Sequence, residues 1–373
     1  MTHPPIALLL RTLRLQGGLT DREAAAEWAR VDIHGLERLL AFEGAALWLY
    51  RRLQALGAAS APAGAEALRA LAHGIAMANM RADEEAAAVL ALLGRAGIPV
   101  ALIKGQARRA AAERYPFANA RAVADVDLLV PDDAADRGFE LLVAEGYEPS
   151  FGWASPWKVE HHRPALWNHR RVAVELHTTT GDTVPPAEAW RRATALADGV
   201  TWNGAPHRVP NATELVWQAA AHALGDGTKG YTLKAFLNAA AVLARAPEIR
   251  WDTIRERIDA GEVVDLRSRR RVPKARLWSW LRTAQDLAGG PLPGILAGAV
   301  PFPLERHLVW RAAVLNRGFG ERVRERLLEE GARTEARMSL SPAVAGSGPM
   351  QRLRRRGSSL AARLLYNGWL AWR

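Results

Sequence analysis

Two aspartates that lie two residues apart inside an apolar run are the first candidates for chemistry in this sequence. The run extends from Ala124 to Val130 and carries Asp125 and Asp127. Side chains alternate between the two faces of a β-strand, so a strand here places both carboxylates on one face. Adjacent carboxylates on a partly buried face repel each other and lose hydration, and a hard divalent metal ion is their usual partner. The alternative is a solvent-facing acid pair, which the poor strand propensity of Asp disfavours.

Two further apolar runs carry polar side chains that a shared sheet would bring towards this pair. Residues 171–177 alternate strictly, which predicts a strand with Glu175 and His177 on one face. Residues 100–103 predict a buried strand that ends at Lys104 and Gly105, followed by a short helix over residues 106–114. The order strand, helix, strand, helix, strand predicts one α/β layer that positions these groups.

Together these motifs resemble the polymerase-β-like nucleotidyltransferase superfamily, and in particular its branch of uncharacterised nucleotidyltransferases. That branch has a Leu-Lys-Gly strand end, an Arg shortly before Asp-Ile-Asp-Leu-Leu-Val, and a later Glu-Leu-His. The corresponding residues here are Ile103-Lys104-Gly105, then Arg121 before Asp125-Val-Asp-Leu-Leu-Val130, and then Glu175-Leu176-His177. The resemblance covers roughly residues 95–180.

The resemblance implies a role for each of these residues. Asp125, Asp127 and Glu175 are expected to be catalytic and to hold Mg²⁺, one ion or two, with nucleotide phosphates completing the coordination. Glu175 is either the third ligand or the general base for an acceptor hydroxyl. The expected nucleotide-binding residues are Lys104, Gly105, Arg121 and His177. For Lys104 two partners stay open, a phosphate or one of the aspartates, because a buried charge needs a partner in either case.

The implied activity is Mg²⁺-dependent transfer of a nucleoside monophosphate from an NTP to a hydroxyl of an unknown acceptor. The acceptor is a small molecule, a peptide or protein, or RNA, and the resemblance suggests a tailoring enzyme of bacterial biosynthetic clusters. The alternative is a catalytically silent binding module that keeps the fold and holds a nucleic-acid or protein partner through basic surfaces. Three carboxylates favour the enzyme, because their mutual repulsion serves no purpose in a silent site.

The predicted fold class is mixed α+β, with a small nucleotidyltransferase-type sheet flanked by helical regions. We expect an N-terminal helical region over residues 1–95, a catalytic domain over 96–185, a C-terminal helical domain over 186–344 and a basic amphipathic tail over 345–373. Residues 65–95 predict one long amphipathic helix. Thr20 and Glu23 predict a capping box at a helix start.

Composition limits the class of protein. The 373 residues are 49% hydrophobic and include no cysteine, which excludes disulfides and thiolate metal sites. No run of eighteen apolar residues predicts a transmembrane helix, and no secretory signal opens the chain, so we expect a cytoplasmic protein. The formal net charge is +11, and basic residues gather in segments 267–276 and 352–373. Either segment is a candidate contact for nucleic acid or an acidic partner, although solvated surface is the favoured interpretation.

The pattern of histidines disfavours a zinc site. His161 and His162 are adjacent and point to opposite faces of any strand, and no Cys accompanies them. His177 shares a face with Glu175 and is the better candidate for a role beside the acids.

Overall fold

The computed structural model of the chain describes residues 4–115, 117–123, 125–149, 163–168, 172–225, 231–244, 249–265 and 268–316. The chain forms two compact units, Met1–Val309 and Trp310–Arg373, and only the first residues of the second are described. The tail over residues 352–373 and the pair His161–His162 lie outside the described residues. The division into four regions stays a prediction.

One five-stranded sheet carries the candidate residues. Its strands in chain order are β1 Ala101–Leu102, β2 Asp125–Leu129, β3 Glu148–Pro149, β4 Leu166–Trp167 and β5 Ala173–His177. The spatial order is β1-β2-β5-β4-β3, with β2 and β5 parallel at the centre and every other pair antiparallel. The sheet is therefore mixed, and its central pair consists of the two strands predicted to carry the acids.

Burial of one face of the sheet fixes which way the acids point. Val126 and Leu128 of β2, with Val174 and Leu176 of β5, are fully or almost fully buried. Helices α5 (Ala65–Arg95) and α7 (Asp132–Ala144) cover this face. A slip of one residue would turn the apolar set outwards and the aspartates into the core, so register is strongly specified.

A glycine in α7 allows this helix to approach the sheet closely. A Cβ atom at Gly138 would lie 3.3 Å from Leu176 Cδ1 and 3.5 Å from Leu93 Cδ2 of α5. The contact packs the two helices and the strand into one apolar layer, and burial of each Leu or Val there contributes about 1.5–3 kcal/mol.

The N-terminal region is helical, as predicted. Its helices before α5 are α1 Pro4–Leu13, α2 Asp21–Trp28, α3 Glu37–Phe42 and α4 Ala46–Ala55. The capping box is present at the start of α2, where the Thr20 hydroxyl accepts from the Glu23 amide and the Glu23 carboxylate accepts from the Thr20 amide. The long predicted helix over residues 65–95 is confirmed at both ends by α5.

The region after the sheet is mainly helical, also as predicted. The remaining helices are α6 Lys104–Ala110, α8 Pro186–Ala195, α9 Ala212–Gly225, α10 Leu233–Leu243, α11 Trp251–Ala260, α12 Lys274–Ala288 and α13 Leu304–Asn316. Helices α9, α10 and α12 pack together, and Phe236 of α10 stacks on Trp280 of α12 with ring centroids 5.2 Å apart. In the described part of the chain, no helix combines the length and apolar character needed to cross a membrane.

Two short hairpins lie within the predicted C-terminal helical domain, between its helices. One consists of β6 Asp198–Trp202 and β7 Ala205–Val209, and the other of β8 Val264–Asp265 and β9 Arg270–Arg271. Asn203 and Gly204 join β6 to β7 with φ values of 50° and 78°. A type I′ hairpin turn needs positive φ at both central residues, and Asn-Gly is a favoured pair there. This hairpin packs against β1 and α6, next to the candidate site.

Candidate active site

The parallel pairing of β2 with β5 brings the predicted carboxylates together. Asp127 is the register partner of Glu175, and Leu129 is the partner of His177. One ligand atom each from Asp127, Glu175 and His177 lies within 4.8 Å of the other two. His177 Nε2 is 2.8 Å from Asp127 Oδ1 and 3.2 Å from Glu175 Oε2. The predicted approach of β2 and β5 is therefore present in the structure, with His177 at its centre.

Asp125, Asp127 and Glu175, here called the acidic cluster, have different environments. The Asp127 side chain is 5% exposed, whereas that of Glu175 is 20% exposed. The charge of Asp127, then burial, raises the pKa of Asp125 to about 6. Burial would raise the pKa of Asp127 as well, but Lys104 and His177 together hold it well below its usual range. The cluster thus contains one acid that is easily protonated and one that stays ionised.

Lys104 provides the cation that stabilises Asp127. Its Nζ lies 2.7 Å from Asp127 Oδ1 and 3.3 Å from His177 Nε2. Burial would lower the pKa of Lys104, but Asp127, Asp125 and Glu175 raise it above its usual value. The carboxylate pairing left open from the sequence is the arrangement that this structure contains.

The backbone of Lys104 is strained. Its φ is 49°, a left-handed value that is uncommon for a residue with a side chain. Helix α6 begins at Lys104 rather than at residue 106 as predicted, because β1 ends after Leu102 and Ile103 caps the helix in an extended conformation. Strain of this kind costs about 1–3 kcal/mol and often occurs at functional sites.

Gly105 permits a close contact between α6 and Arg121. A Cβ atom at Gly105 would lie 3.0 Å from Arg121 Nη1, so a larger residue would displace the guanidinium. Burial, above all, lowers the pKa of Arg121, and Asp125 and Asp127 partly offset the effect. The predicted nucleotide-binding residues Gly105 and Arg121 therefore lie against each other, beside the acidic cluster.

Asn79 of α5 holds the segment that leads into β2, and sequence reasoning missed it. Its Nδ2 donates to the Arg121 carbonyl at 2.8 Å, and its Oδ1 accepts from the Val123 amide at 2.9 Å. The residue is 2% exposed. A polar residue on the buried stripe of a long amphipathic helix was the available signal, because buried amides need partners.

Arg108 of α6 is a second residue that the sequence did not single out. It is 4% exposed, and burial, then the charge of Arg121, lowers its pKa to about 9. It therefore remains charged at neutral pH. Nothing in the sequence distinguishes Arg108 from its neighbour Arg109, since only the tertiary fold decides which of them is enclosed.

The donor set of the site fits a hard divalent cation. The ligand atoms that the structure brings together belong to Asp127, Glu175 and His177, and Asp125 is not part of this group. Carboxylate oxygens are the ligands that Mg²⁺ prefers, and the imidazole of His177 suits a softer ion or a supporting hydrogen bond. The ammonium of Lys104 already lies on Asp127, so the cluster attracts a cation in the present arrangement. Asp127 would have to exchange Lys104 for the metal.

Comparison with known families agrees with this geometry. Residues 29–266, more than half of the chain, match the family model described as uncharacterised nucleotidyltransferase. The chain belongs to this family. The predicted resemblance is therefore confirmed, and the matched range of the nucleotidyltransferase includes the whole acidic cluster. No curated protein and no solved structure gave a match. Family membership supports NTP-dependent transfer as the general activity.

Proposed function

We propose that this protein is a Mg²⁺-dependent nucleotidyltransferase that transfers a nucleoside monophosphate from an NTP to a hydroxyl of an acceptor. The observation that carries the proposal is the meeting of ligand atoms from Asp127, Glu175 and His177 within 4.8 Å, in a chain of this family. Asp125 lies two residues before Asp127 on β2 and adds the third carboxylate. A structural core would gain nothing from the paired acids Asp127 and Glu175 with a third acid two residues away on the same strand.

The reaction needs an acceptor oxygen, a leaving group and a place for one proton. The hydroxyl oxygen attacks the α-phosphorus, the bond from that phosphorus to the bridging oxygen breaks, and pyrophosphate leaves. Glu175 is the more exposed acid of the paired Asp127 and Glu175, and it accepts the hydroxyl proton. When bound, Mg²⁺ would be held by the acidic cluster and would neutralise charge on the attacking and leaving oxygens.

Lys104 would have both of the partners that the sequence left open, an aspartate first and a phosphate later. In the present arrangement its ammonium neutralises Asp127 at 2.7 Å. If Asp127 held a metal ion, the Lys104 ammonium would be available to bind a phosphate oxygen of the nucleotide. Gly105 follows Lys104 in α6, and Arg121 lies against Gly105. Both residues would therefore contact the phosphates together with Lys104. His177 would hold Asp127 and Glu175 in position through Nε2.

The silent binding module remains the second candidate, and one observation favours it. Lys104 and His177 both engage Asp127, so this carboxylate is satisfied without any metal ion. Such a module would hold nucleic acid or an acidic partner through basic segments such as 267–276, of which residues 268–276 are described. The two candidates differ in whether bound nucleotide is consumed.

Transfer of radiolabel distinguishes them. The purified protein is incubated with Mg²⁺, cell extract and each of the four NTPs, labelled either at the α- or at the γ-phosphate. Nucleotidyl transfer moves the α-label to small molecules, protein or RNA and never the γ-label. Asp127→Asn should abolish transfer, whereas Glu140→Gln, an exposed carboxylate of α7, should leave it intact. If no NTP transfers its label and none raises the melting temperature, the enzyme proposal fails and the silent module is the remaining candidate.

A further inference from the structure

Two neighbouring arginines of α6 differ in the partners that the fold gives them. Arg109 Nε donates to Asp83 Oδ1 at 2.8 Å, its Nη2 contacts Asp83 Oδ2, and its Nη1 donates to the Asn119 carbonyl. Arg108 is 4% exposed and is therefore buried. Its side chain forms no hydrogen bond or ion pair with any other described residue. The fold thus supplies a carboxylate for one guanidinium and none for the other.

Arg121 is a second guanidinium that forms no ion pair or hydrogen bond with a carboxylate in the described part of the chain, although Asp125 and Asp127 attract it. Its Nε is fully buried and has no hydrogen-bond partner there. Its Nη1 lies over Gly105, which is three residues before Arg108 and therefore on the same face of α6. The charge of Arg121 is close enough to lower the pKa of Arg108, and these two residues are here called the arginine pair.

Two like charges that lie close together, largely enclosed and with no hydrogen-bonded carboxylate among the described residues, favour the binding of an anion. An unpaired buried charge is among the costliest features of a fold, and mutual repulsion adds to that cost. Each guanidinium presents five N–H donors in a planar fork that matches phosphate oxygens. The unused donors of the arginine pair thus point to a ligand that carries several negative charges.

We propose that the arginine pair binds the pyrophosphate portion of the substrate, with Arg108 as a further binding residue of the site. The inference deepens the proposed function and rests on it for the identity of the substrate. Polyphosphate is favoured over a carboxylate ligand because it carries enough charge and oxygens to engage both forks at once. It is favoured over duplex nucleic acid because Arg108 and the Nε atom of Arg121 are buried, whereas a duplex needs an exposed surface.

Calorimetric binding of inorganic pyrophosphate and tripolyphosphate tests this inference without any transfer reaction. Titrations are run in EDTA and again in Mg²⁺, on the wild type and on Arg108→Gln, Arg108→Lys and Arg95→Gln. Arg95 is an exposed residue of α5 and serves as the charge-matched control. Orthophosphate and acetate are titrated in parallel to separate polyphosphate binding from general attraction of anions.

The expected result is metal-free binding of pyrophosphate and tripolyphosphate to the wild type, with orthophosphate weaker and acetate not bound. Arg108→Gln should weaken polyphosphate binding by about tenfold or more, Arg108→Lys should weaken it less, and Arg95→Gln should have no effect. The ligand-free Arg108→Gln protein should melt no lower than the wild type, because it loses a buried charge that has no partner.

Two outcomes would overturn the inference. One is absence of metal-free polyphosphate binding to the wild type; the other is a lower melting temperature of ligand-free Arg108→Gln with unchanged polyphosphate affinity, which would make Arg108 a structural cation. These outcomes are separable from failure of the proposed function. Polyphosphate binding without label transfer would support the anion site and contradict the proposed transferase activity. Label transfer with an unchanged KM for NTP in Arg108→Gln would support the transferase activity and contradict the role of Arg108.

Discussion

Replacing Asp125 with Asn should stabilise the metal-free protein, although it removes a residue of the proposed active site. The pKa of Asp125 rises from its usual 3.8 to about 6, chiefly because Asp127 is charged beside it. A rise of this size corresponds to about 3 kcal/mol in favour of the neutral carboxyl group. Asn keeps the shape and is neutral at every pH, so it avoids this cost.

The sign of the pH dependence follows from proton binding. Between pH 3.8 and about 6 the folded state holds the Asp125 proton more tightly than the unfolded state does. The contribution of Asp125 to stability is therefore greatest below pH 3.8 and is lost as the pH rises through 6. Relative to the wild type, Asp125→Asn should gain nothing near pH 3.8 and up to about 3 kcal/mol above pH 6.

Urea unfolding in EDTA at a series of pH values between 4 and 8 measures this difference. The control is Glu140→Gln, which changes an exposed carboxylate of α7 and should alter the free energy of unfolding by no more than about 0.5 kcal/mol at any pH. In Mg²⁺ the order should reverse, because the wild type gains stability from the ion and the variant lacks one ligand. A lower stability of Asp125→Asn in EDTA above pH 6, or a difference that does not vary with pH, would refute the reasoning.

Three further changes test the other parts of the site. Lys104→Met removes the ammonium from Asp127 and should tighten Mg²⁺ binding by calorimetry while it slows label transfer; weaker Mg²⁺ binding would show that Lys104 does not compete with the ion. Asn79→Ala leaves two backbone groups before β2 unpaired and should lower the free energy of unfolding by about 1–3 kcal/mol in urea, and a neutral result would contradict this role. Gly105→Ala places a Cβ 3.0 Å from Arg121 Nη1 and should raise the KM for NTP with little loss of stability; an unchanged KM would mean that the Arg121 position is unimportant for binding.

The sequence contained enough information to predict the acidic cluster, because strand periodicity acts over a few residues. Alternation alone puts Asp125 and Asp127 on one face, and the same rule puts Glu175 beside His177. The parallel register that joins Asp127 to Glu175 then follows from burial of the opposite apolar face.

Other features depend on tertiary contacts that no local pattern encodes. Arg108 and Arg109 are identical in type and adjacent in the chain, and only the position of Asp83 on α5 decides which one is paired. The hairpin β6–β7 is a different case, because the turn signal Asn203-Gly204 can be read from the sequence, within the predicted C-terminal helical domain.

The charges at the site argue for a ligand rather than for a structural role. The acidic cluster lies close to three cations, Lys104 and the arginine pair, and it attracts each of them, although of the three only Lys104 forms an ion pair with it among the described residues. A core that needed only stability would be as stable, or more so, with apolar residues of similar volume in place of such a cluster. An NTP with Mg²⁺ also brings charges of both signs. The acids of the site match the metal ion, and its cations match the phosphates; these groups are already desolvated and positioned. Unpaired charges of both signs, such as Asp125 and Arg108, are what a site needs if it is to exchange internal partners for those of an incoming metal nucleotide.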